Sequence, residues 1–306
     1  MKVYVNRFPK FGAWGGGMHA TRAFHKFLPN FDCELVAAGS MEGSPDVILL
    51  AGLENDGEGI SAEQAVMYKM MLSVSGEKEI KLVLRVNEND ARKATNYVDN
   101  LWCKFSAHVD GAVFVSHWLK DYFEAKGWDC KNNTVIYNGV NSEIFKPGEK
   151  LNNGKINIVS SHWSDNAMKG QDITEWVDDF VGKNPDDFTF TFIGRTKAKL
   201  KNGTLIHPLA GKALGAEIGK YDVCINGSRF DPGPNSVIEP ISCGLPTYVH
   251  SDGGGGVEFV GRDHVFSSID ELSQLLTNKK FTQNTTSFAK WEDAVKQYAD
   301  FFKNIP

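Results

Sequence analysis

The densest group of residues able to do chemistry lies in one segment, Gly227–Glu258, which contains GSRFDPGPNSVIEPISCGLPTYVHSDGGGGVE. Asp231 and Glu239 flank a Gly/Pro-rich turn, with seven residues between them. The glycine run Gly253–Gly256 and a third carboxylate, Glu258, follow. Acids beside a helix N-terminus suit a ligand that offers hydroxyls to carboxylates and phosphates to backbone N–H groups. A nucleotide-sugar has both kinds of group.

The turn in this segment is expected to place a helix N-terminus at the end of a strand. Val223–Asn226 predicts a strand, and a helix is predicted from Ser236 onward. Its expected N-cap is Asn235, or Gly233 one residue before Pro234. The unpaired N–H groups of the first turn would then form an anion site.

The two acids have different expected roles. Glu239 lies just over one turn into the helix, where its carboxylate can accept two hydrogen bonds from vicinal hydroxyls such as a ribose diol. Asp231 lies in the loop ahead of the helix and can contact the sugar. The alternative is that both acids only compensate the helix dipole, an effect worth less than about 1 kcal/mol. The occurrence of the glycines and Pro246 in the same segment as the two acids favours ligand binding.

Two further loops are candidates for the same anion. Gly15, Gly16 and Gly17 follow the first predicted strand, where absent side chains let backbone N–H groups approach an anion or a sugar. A flexible turn is the alternative, and the spacing does not match the GxGxxG dinucleotide fingerprint. Lys169 follows the first strand of the second half and can reach a diphosphate as a mobile point charge. The alternative is an exposed, solvated lysine.

The composition is that of a soluble globular protein. Its 306 residues suit two domains, and 42% are hydrophobic and 23% charged. A net charge of −5 without a dense Lys/Arg run argues against nucleic acid as a partner. The longest apolar run, Val47–Ala51, is too short to span a bilayer, which leaves peripheral association open. Five scattered cysteines without a CxxC pair, and an N-terminus without a signal-peptide pattern, predict a cytoplasmic protein with no zinc site.

Short β-branched runs alternate with helical patterns, which is typical of βαβ units and parallel sheets. Strands are predicted at Lys2–Val5, Glu34–Ala38, Val47–Leu50, Lys81–Val86, Gly111–Val115, Thr134–Tyr137, Ile156–Ser160, Phe188–Ile193, Thr204–Ile206, Val223–Asn226 and Thr247–His250. Helices are predicted at Met18–Phe27, Ala62–Ser75, Asp90–Phe105, Trp118–Lys126, Gln171–Val181, Lys212–Lys220, Ser236–Cys243, Ile269–Leu276 and Trp291–Asn304.

The pattern restarts after the polar stretch Lys146–Lys155. We therefore expect an α/β protein with two Rossmann-like domains and parallel sheets facing a cleft, an N-terminal acceptor domain at 1–147 and a C-terminal donor domain at 148–306. Ligands in such sheets bind beyond the carboxyl ends of the strands.

The acid-bearing segment resembles the fingerprint of family-4 glycosyltransferases, retaining enzymes with the two-domain GT-B fold. That fingerprint is an acid, seven residues and a Glu, followed by a small-residue helix ending in Gly-x-Pro. Here it corresponds to Asp231, PGPNSVI, Glu239 and PISCGLP. The resemblance also covers FVSHWLKDYF, VIYNGVNSEIFKP, SSHWSDNAMKGQD and FTFIGR, and thus nearly the whole chain.

The resemblance implies a glycosyltransferase that moves a sugar from a nucleotide-diphosphate sugar to a hydroxyl acceptor such as a glycan, with retention of anomeric configuration. Glu239 would hold the ribose hydroxyls, Asp231 would contact the transferred sugar, and Lys169 would neutralise the diphosphate. Backbone N–H groups near Gly16–Gly17 and Asn235–Ser236 would assist Lys169. The other expected donor-binding residues are Gly15, Arg195, Gly233 and Glu258. No cofactor is implied, and the lack of an Asp-x-Asp pair in a suitable loop predicts metal independence.

Two departures from the family pattern concern the donor site. The first acid is Asp231 where the family usually has Glu, which shortens its reach by one methylene. The usual Gly-Arg ahead of the Lys-Gly is replaced by Ser161-His162. A diphosphate arginine must therefore come from elsewhere, with Arg195 as the candidate, or be absent.

Other parts of the chain bear on the acceptor domain. The family often has a His after its fourth strand, and Arg85, Asn87 or Asp90 are the candidates for that place. The C-terminal segment FAKWEDAVKQYADFF looks like the helix that crosses back to the first domain in these folds. Two loops, Phe11–Trp14 and Leu53–Ile60, carry aromatic and acidic residues that suit a carbohydrate acceptor.

Two rival functions stay open. One is a nucleotide-sugar epimerase with the GT-B fold, although the Asp-x7-Glu pattern favours transfer. The other is a non-catalytic nucleotide-sugar-binding protein, which the altered first acid and the missing Gly-Arg would allow. The sequence does not identify the base, the sugar or the acceptor.

Overall fold

The computed structural model describes residues 1–10, 12, 14–37, 45–54, 59–76 and 78–306. Within this part of the chain there are two six-stranded sheets, and all paired strands are parallel. The first sheet has the order β2-β1-β3-β4-β5-β6. Its strands are β1 Lys2–Val5, β2 Glu34–Leu35, β3 Val47–Leu50, β4 Lys81–Val86, β5 Gly111–Phe114 and β6 Asn133–Val135.

The second sheet repeats the arrangement in the order β12-β11-β10-β7-β8-β9. Its strands are β7 Ile156–His162, β8 Phe188–Gly194, β9 Thr204–Ile206, β10 Val223–Asn226, β11 Thr247–His250 and β12 Val265–Phe266. In both sheets the central strands are near-continuous apolar runs because helices cover both faces. The four residues of β3, for example, are all buried.

Helices pack on both faces of each sheet. In the first half they are α1 Gly16–Phe27, α2 Ala62–Ser75, α3 Asp90–Lys93, α4 Val98–Ser106 and α5 His117–Glu124. In the second half they are α6 Gln171–Lys183, α7 Gly211–Ile218, α8 Asn235–Ser242, α9 Gly255–Val260, α10 Ile269–Asn278 and α11 Trp291–Asn304. Short 3-10 turns occupy Leu28–Phe31, Ala167–Lys169 and Arg262–His264.

The last helix, α11, belongs to the core of the first sheet. Its buried face, which includes Val295, Ala299 and Phe302, packs with Val3 and Val5 of β1. The predicted fold class, including the C-terminal helix that crosses back, is therefore confirmed. The chain leaves the first sheet after β6 and begins the second at β7, and the exact boundary at 147 stays a prediction.

The predicted helix Asp90–Phe105 is wrong, because the chain breaks there into α3 and α4. Ala94 ends α3 in the left-handed conformation, with φ of 56°. The Asp90 carboxylate then accepts hydrogen bonds from the N–H groups of Val98 and Asp99 at 2.9 and 3.1 Å, which starts α4. One carboxylate thus ties the starts of two helices together.

Other differences are smaller. The predicted strand Glu34–Ala38 pairs only at Glu34–Leu35, and Ala38 lies outside the described residues. The last two glycines of the run Gly253–Gly256 begin the short helix α9, and neither α9 nor β12 was predicted. Parts of the two proposed acceptor loops, positions 11, 13 and 55–58, lie outside the described residues. No helix in the described part of the chain is long and apolar enough to cross a membrane.

Candidate active site

A cavity of about 510 Å³ lies between the two halves of the molecule. From the first half it is lined by the loop after β1, the start of α1 and the segment after β4. From the second half it is lined by the loops after β7 and β9 and by the start of α8. Open parallel sheets bind ligands at this end of their strands, and the volume lies in the range of small-molecule sites.

Helix α8 presents an uncapped N-terminus to this cavity. Pro234 is its N-cap, and no side chain caps it, so the expected Asn235 or Gly233 cap is wrong. Because proline fixes its own φ near the extended values that an N-cap needs, the turn ends one residue earlier than expected for Asn235. Among the described residues, the N–H groups of Asn235 and Ser236 have no hydrogen-bond acceptor. They provide the partial positive charge of an anion site.

Lys169 and Asp231 meet at the wall of the same cavity. The Lys169 ammonium donates a hydrogen bond to the Asp231 carboxylate, and both side chains are largely buried. Burial raises the pKa of Asp231, but the charges of Lys169 and Arg92 outweigh it and hold that pKa below its usual value. Burial also lowers the pKa of Lys169, against the attraction of Asp231. The carboxylate is therefore ionised and orients the ammonium, which keeps N–H groups for a second acceptor.

Glu239 faces the cavity without a charged partner. It is 6% exposed, and burial alone raises its pKa from 4.5 to about 8. His19 of α1 lies opposite, with Nδ1 3.9 Å from the Glu239 carboxylate. Burial, assisted by Arg22, lowers the pKa of His19 to about 4. Both groups are thus uncharged at neutral pH, and the Glu239 carboxyl is free to pair with a ligand that supplies hydroxyls.

The three glycines place the start of α1 against the start of α8. Gly15 is the N-cap of α1 and lacks a side-chain cap. A Cβ on Gly16 would lie 3.4 Å from Asn235 Oδ1, and one on Gly15 would lie 3.1 Å from the Trp163 ring. Glycine therefore permits two helix N-termini to face each other across the cavity. Their dipoles converge on the space between them.

A polar bridge fixes the relative position of these two starts. Asn138 lies in the segment after β6 and donates hydrogen bonds to Gly233 O at 3.1 Å and to Asn235 Oδ1 at 2.9 Å. Its own Oδ1 accepts a hydrogen bond of 2.7 Å from Arg85 Nη2. A second bridge joins Asn89 Nδ2 to Phe230 O at 3.0 Å. The geometry of the site therefore depends on contacts between the domains.

Two of the expected donor-binding residues do not line the cavity. The Arg195 guanidinium stacks on the Trp163 ring at 4.2 Å, and Trp163 itself lines the cavity. The Glu258 carboxylate accepts hydrogen bonds of 2.9 Å from the backbone N–H groups of both His117 and Trp118. Glu258 thus caps helix α5 of the first domain. Since each side chain has a structural partner, the geometry assigns neither to the ligand.

Several cavity residues were not anticipated from the sequence. Ile193, near the end of β8, and Pro208–Ala210, after β9, give the cavity an apolar lining. Arg7, after β1, and Arg92, in α3, bring positive charge from the first domain. The rule that ligands lie at the carboxyl ends of parallel strands points to the loops after β1 and β9, but the glycine run after β1 does not single out Arg7, and the loop after β9 has no motif.

The three candidates for the place of the family histidine differ in whether they line the cavity. Arg85 and Asn87 line the cavity, whereas Asp90 is engaged by the start of α4. His162, at the end of β7, also lines the cavity, and its Nδ1 has no partner among the described residues. Burial and nearby Lys169 lower its pKa to about 3, so it is uncharged.

Among the residues that the structure describes, no group of three or more His, Cys, Asp or Glu side chains is arranged to hold a metal ion. Positive charge in the cavity is supplied by Lys169, by arginines and by the two helix N-termini. Metal independence stays a prediction, because the arrangement of the empty protein does not test it.

Comparison with models of protein families gives no match, and comparison with curated protein sequences gives none. Solved structures match the whole fold. A structure of Anabaena HepE with UDP and glucose is 13% identical, with a TM-score of 0.71 over 99% of this chain and 99% of that chain. The lipopolysaccharide outer core galactosyltransferase WaaB, in its apo form, is 12% identical, with a TM-score of 0.63 over 99% of this chain and 98% of that one.

Sucrose-phosphate synthase from Thermosynechococcus elongatus is 10% identical, with a TM-score of 0.63 over 99% of this chain and 94% of that chain. Identities this low show the fold alone. The chain therefore has the GT-B architecture, two Rossmann-like domains with a cleft between them.

Proposed function

We propose that the protein is a retaining glycosyltransferase that moves a sugar from a nucleotide-diphosphate sugar to a hydroxyl acceptor, a glycan. The observation that carries the proposal is that Glu239, Lys169 and the uncapped start of α8 converge on one cavity of the GT-B fold. Phosphates suit the helix N-terminus and the ammonium, and a ribose diol suits the carboxyl of Glu239. The resemblance to the family-4 fingerprint supports the same roles.

In this proposal the donor is a uridine diphosphate sugar. HepE has been crystallised with UDP and with UDP-glucose, and its fold extends over the whole chain. The apolar residues Ile193 and Pro208–Ala210 offer a surface for a base in the same cavity that Glu239 lines, so Glu239 is our candidate for holding the attached ribose. Asp231 then orients Lys169 and contacts the transferred sugar.

The family's diphosphate-binding arginine is replaced in this chain, where Ser161-His162 stands in place of Gly-Arg. Arg92 is our candidate for the residue that takes over its role. It lines the cavity from α3 of the first domain, and its charge acts on both Lys169 and Asp231. Its ion pair with Glu88 is long, 3.5 Å, whereas Lys93 takes the same Glu88 at 2.9 Å. An arginine held loosely beside Lys169 can turn to a diphosphate, whose geometry matches the guanidinium.

The proposed reaction uses these groups for positioning and charge stabilisation. The bond from the anomeric carbon to the diphosphate oxygen breaks, and a bond to the acceptor oxygen forms on the same face of the sugar. The acceptor proton passes to the departing diphosphate. Lys169, Arg92 and the N–H groups of α8 stabilise the negative charge of that leaving group, which is the principal catalytic effect expected of the protein.

Product analysis tests this proposal against its rivals. The purified protein is incubated with each of a set of uridine diphosphate sugars, with and without a glycan mixture, and the products are separated. Transfer or hydrolysis releases a nucleoside diphosphate, whereas an altered sugar still attached to its nucleotide would indicate an epimerase. Binding without either product would indicate a non-catalytic protein. Activity that EDTA abolishes and Mg²⁺ or Mn²⁺ restores would contradict metal independence.

The compartment is proposed from the cysteines. All five are free thiols, and Cys33, Cys130, Cys224 and Cys243 are buried. Unpaired buried thiols suit a reducing environment. We therefore propose a cytoplasmic enzyme of polysaccharide biosynthesis, for which nucleotide-sugars are the donors.

A further inference from the structure

Two arginines on the first-domain side of the cavity lack an acidic partner. Arg7 follows β1, Arg85 is the next-to-last residue of β4, and both line the cavity. Arg85 is 1% exposed; its Nη2 donates to Asn138 and the Tyr298 hydroxyl of α11 is a further neighbour, but its Nη1 has no hydrogen-bond partner. The Nε of Arg7 is also buried without a partner. Among the described residues no carboxylate lies within ion-pair distance of either guanidinium.

The carboxylate of Glu88 does not complete the arrangement. Glu88 lies close enough to act electrostatically on Arg85, but its carboxylate is held by Arg92 and Lys93. Arg7 in turn lies close enough to repel Arg85. Two like charges that each keep an unsatisfied donor, on the buried Arg85 and the half-buried Arg7, are costly, and an arginine cannot lose its proton to relieve the cost. An anion with several oxygens removes both problems.

Arg7 lies apart from the proposed diphosphate position, whereas Arg85 is linked to the start of α8 through Asn138. A Cβ on Gly16 would face Asn235 of α8, on the donor side. A Cβ on the next residue, Gly17, would instead lie 3.3 Å from Asn87 Nδ2 and 3.9 Å from Arg7 Nη1. The start of α1 therefore has two sides. One faces the donor helix, and the other faces Arg7 and Asn87.

We propose that Arg7 and Arg85, together with the N-terminus of α1, form a subsite for an anionic group, phosphate or carboxylate, carried by the acceptor. This inference rests on the proposed function, because it takes the opposite side of the cavity as the donor site. The accepting hydroxyl then lies in the space between this subsite and Lys169, and Asn87 is in position to contact the same acceptor. The acceptor is thus an acidic or phosphorylated sugar rather than a neutral one.

The test is calorimetric titration of the UDP-saturated protein with inorganic phosphate, glucose 6-phosphate, glucuronate and glucose. UDP fills the donor site, so a further anion reports on the Arg7 side. We expect phosphate and at least one of the charged sugars to bind, and glucose to bind at least about tenfold more weakly. The sugar phosphate and the uronate distinguish the two sources of negative charge.

Arg7→Gln is the first variant, because Arg7 is only half-buried and its replacement is compatible with folding. It is expected to weaken anion binding at least about tenfold while leaving UDP affinity unchanged. Arg7→Lys should recover part of the loss. Lys93→Gln, which removes the same charge from an exposed side chain outside the cavity, is the matched control and should bind anions like the wild type.

Three results would overturn the subsite: no anion binds once UDP is present, phosphate only competes with UDP, or Arg7→Gln binds anions normally. Failure of the proposed function has a different signature. If UDP does not bind but phosphate still binds in a manner that depends on Arg7, the donor assignment is contradicted and the anion site is kept.

Discussion

Glu239 shows how one residue can favour a ligand at the expense of the empty protein. Its carboxyl is buried opposite a neutral His19, so ionisation in the free protein is disfavoured and its pKa is about 8. A ribose diol would supply hydrogen bonds that the empty cavity does not. Residues that are poorly matched to their surroundings in the free state are typical of binding sites.

The pKa of Glu239 predicts that Glu239→Gln stabilises the free protein. The folded-state pKa is raised above the unfolded value of 4.5, so the stability contributed by the protonated form is complete below 4.5 and is lost as pH rises towards 8. Glutamine avoids this loss, which reaches up to about 3 kcal/mol at pH 7. Urea unfolding between pH 4.5 and 8.5 measures it. The advantage of the variant should grow with pH, unlike that of the exposed control Glu149→Gln, and a difference independent of pH would refute the assignment.

Arg92 makes a second prediction at the residue scale. If Arg92 takes the diphosphate-binding role of the arginine that is missing at Ser161-His162, Arg92→Gln should lower kcat/KM for transfer by about 10²-fold. The reason is that a charge-assisted contact to the leaving diphosphate is lost. Steady-state assays with a uridine diphosphate sugar measure this. Lys93→Gln, next in the chain and also paired with Glu88, should keep near wild-type activity. Equal losses in the two variants would point to a general charge effect rather than a contact.

At the scale of elements, helix starts organise the molecule. α1 and α8 leave their N-termini uncapped towards the cavity, whereas α5 is capped from the other domain by Glu258. Hydrogen bonds from backbone N–H groups to an ionised carboxylate at a helix N-terminus are among the stronger capping contacts. The N-termini of α1 and α8 are thus open to the cavity, whereas the N-terminus of α5 takes part in the contact between the domains.

Removal of the cap by Glu258→Ala is expected to destabilise the protein by about 1–2 kcal/mol. The amides of His117 and Trp118 should lose protection in hydrogen exchange, because they donate to Glu258. Glu258→Gln keeps one acceptor oxygen and should lose less. Unchanged exchange at both amides in Glu258→Ala would contradict the capping role.

The elements also show what the sequence could predict. Short apolar runs that alternate with helical patterns were sufficient to predict most strands and helices. A strand that is buried on both faces is apolar throughout, so a few consecutive residues identify it. The segment around Asp231 and Glu239 was placed correctly because strand, turn and acids adjoin in the chain. The break after Ala94, the partners of Arg195 and Glu258, and the arginines of the first domain depend on contacts between distant segments, and no local pattern encodes them.

For the whole molecule, the site exists only while the two domains face each other. Asn138 and Asn89 bridge them by hydrogen bonds, and the ring centroids of Trp14 and Trp163, which both line the cavity, lie 5.4 Å apart. Helix α11, at the end of the chain, also connects the domains, because it packs in the core of the first domain. The proposed donor would therefore bind to a surface that both domains build, and its binding is expected to change their contact.

The tryptophan pair provides a reporter of that contact. Both rings line the cavity, so UDP binding should change the intrinsic fluorescence of the protein. Trp163→Phe is expected to lose most of this change, because the ring next to Trp14 and Arg195 is replaced. Trp176→Phe, where the ring stacks on Phe180 within α6, should keep it. A full fluorescence change in Trp163→Phe would show that the pair does not report on the donor.

The central claim is that the cavity binds a nucleotide-diphosphate sugar through Glu239, and titration calorimetry tests it most directly. The wild type should bind a uridine diphosphate sugar at one site per chain. Glu239→Ala, with its fold verified by circular dichroism, should bind it at least about tenfold more weakly, because the ribose hydroxyls lose their acceptor. Donor affinity that is the same in Glu239→Ala as in the wild type, or no binding of any nucleotide-sugar to the wild type, would contradict the account.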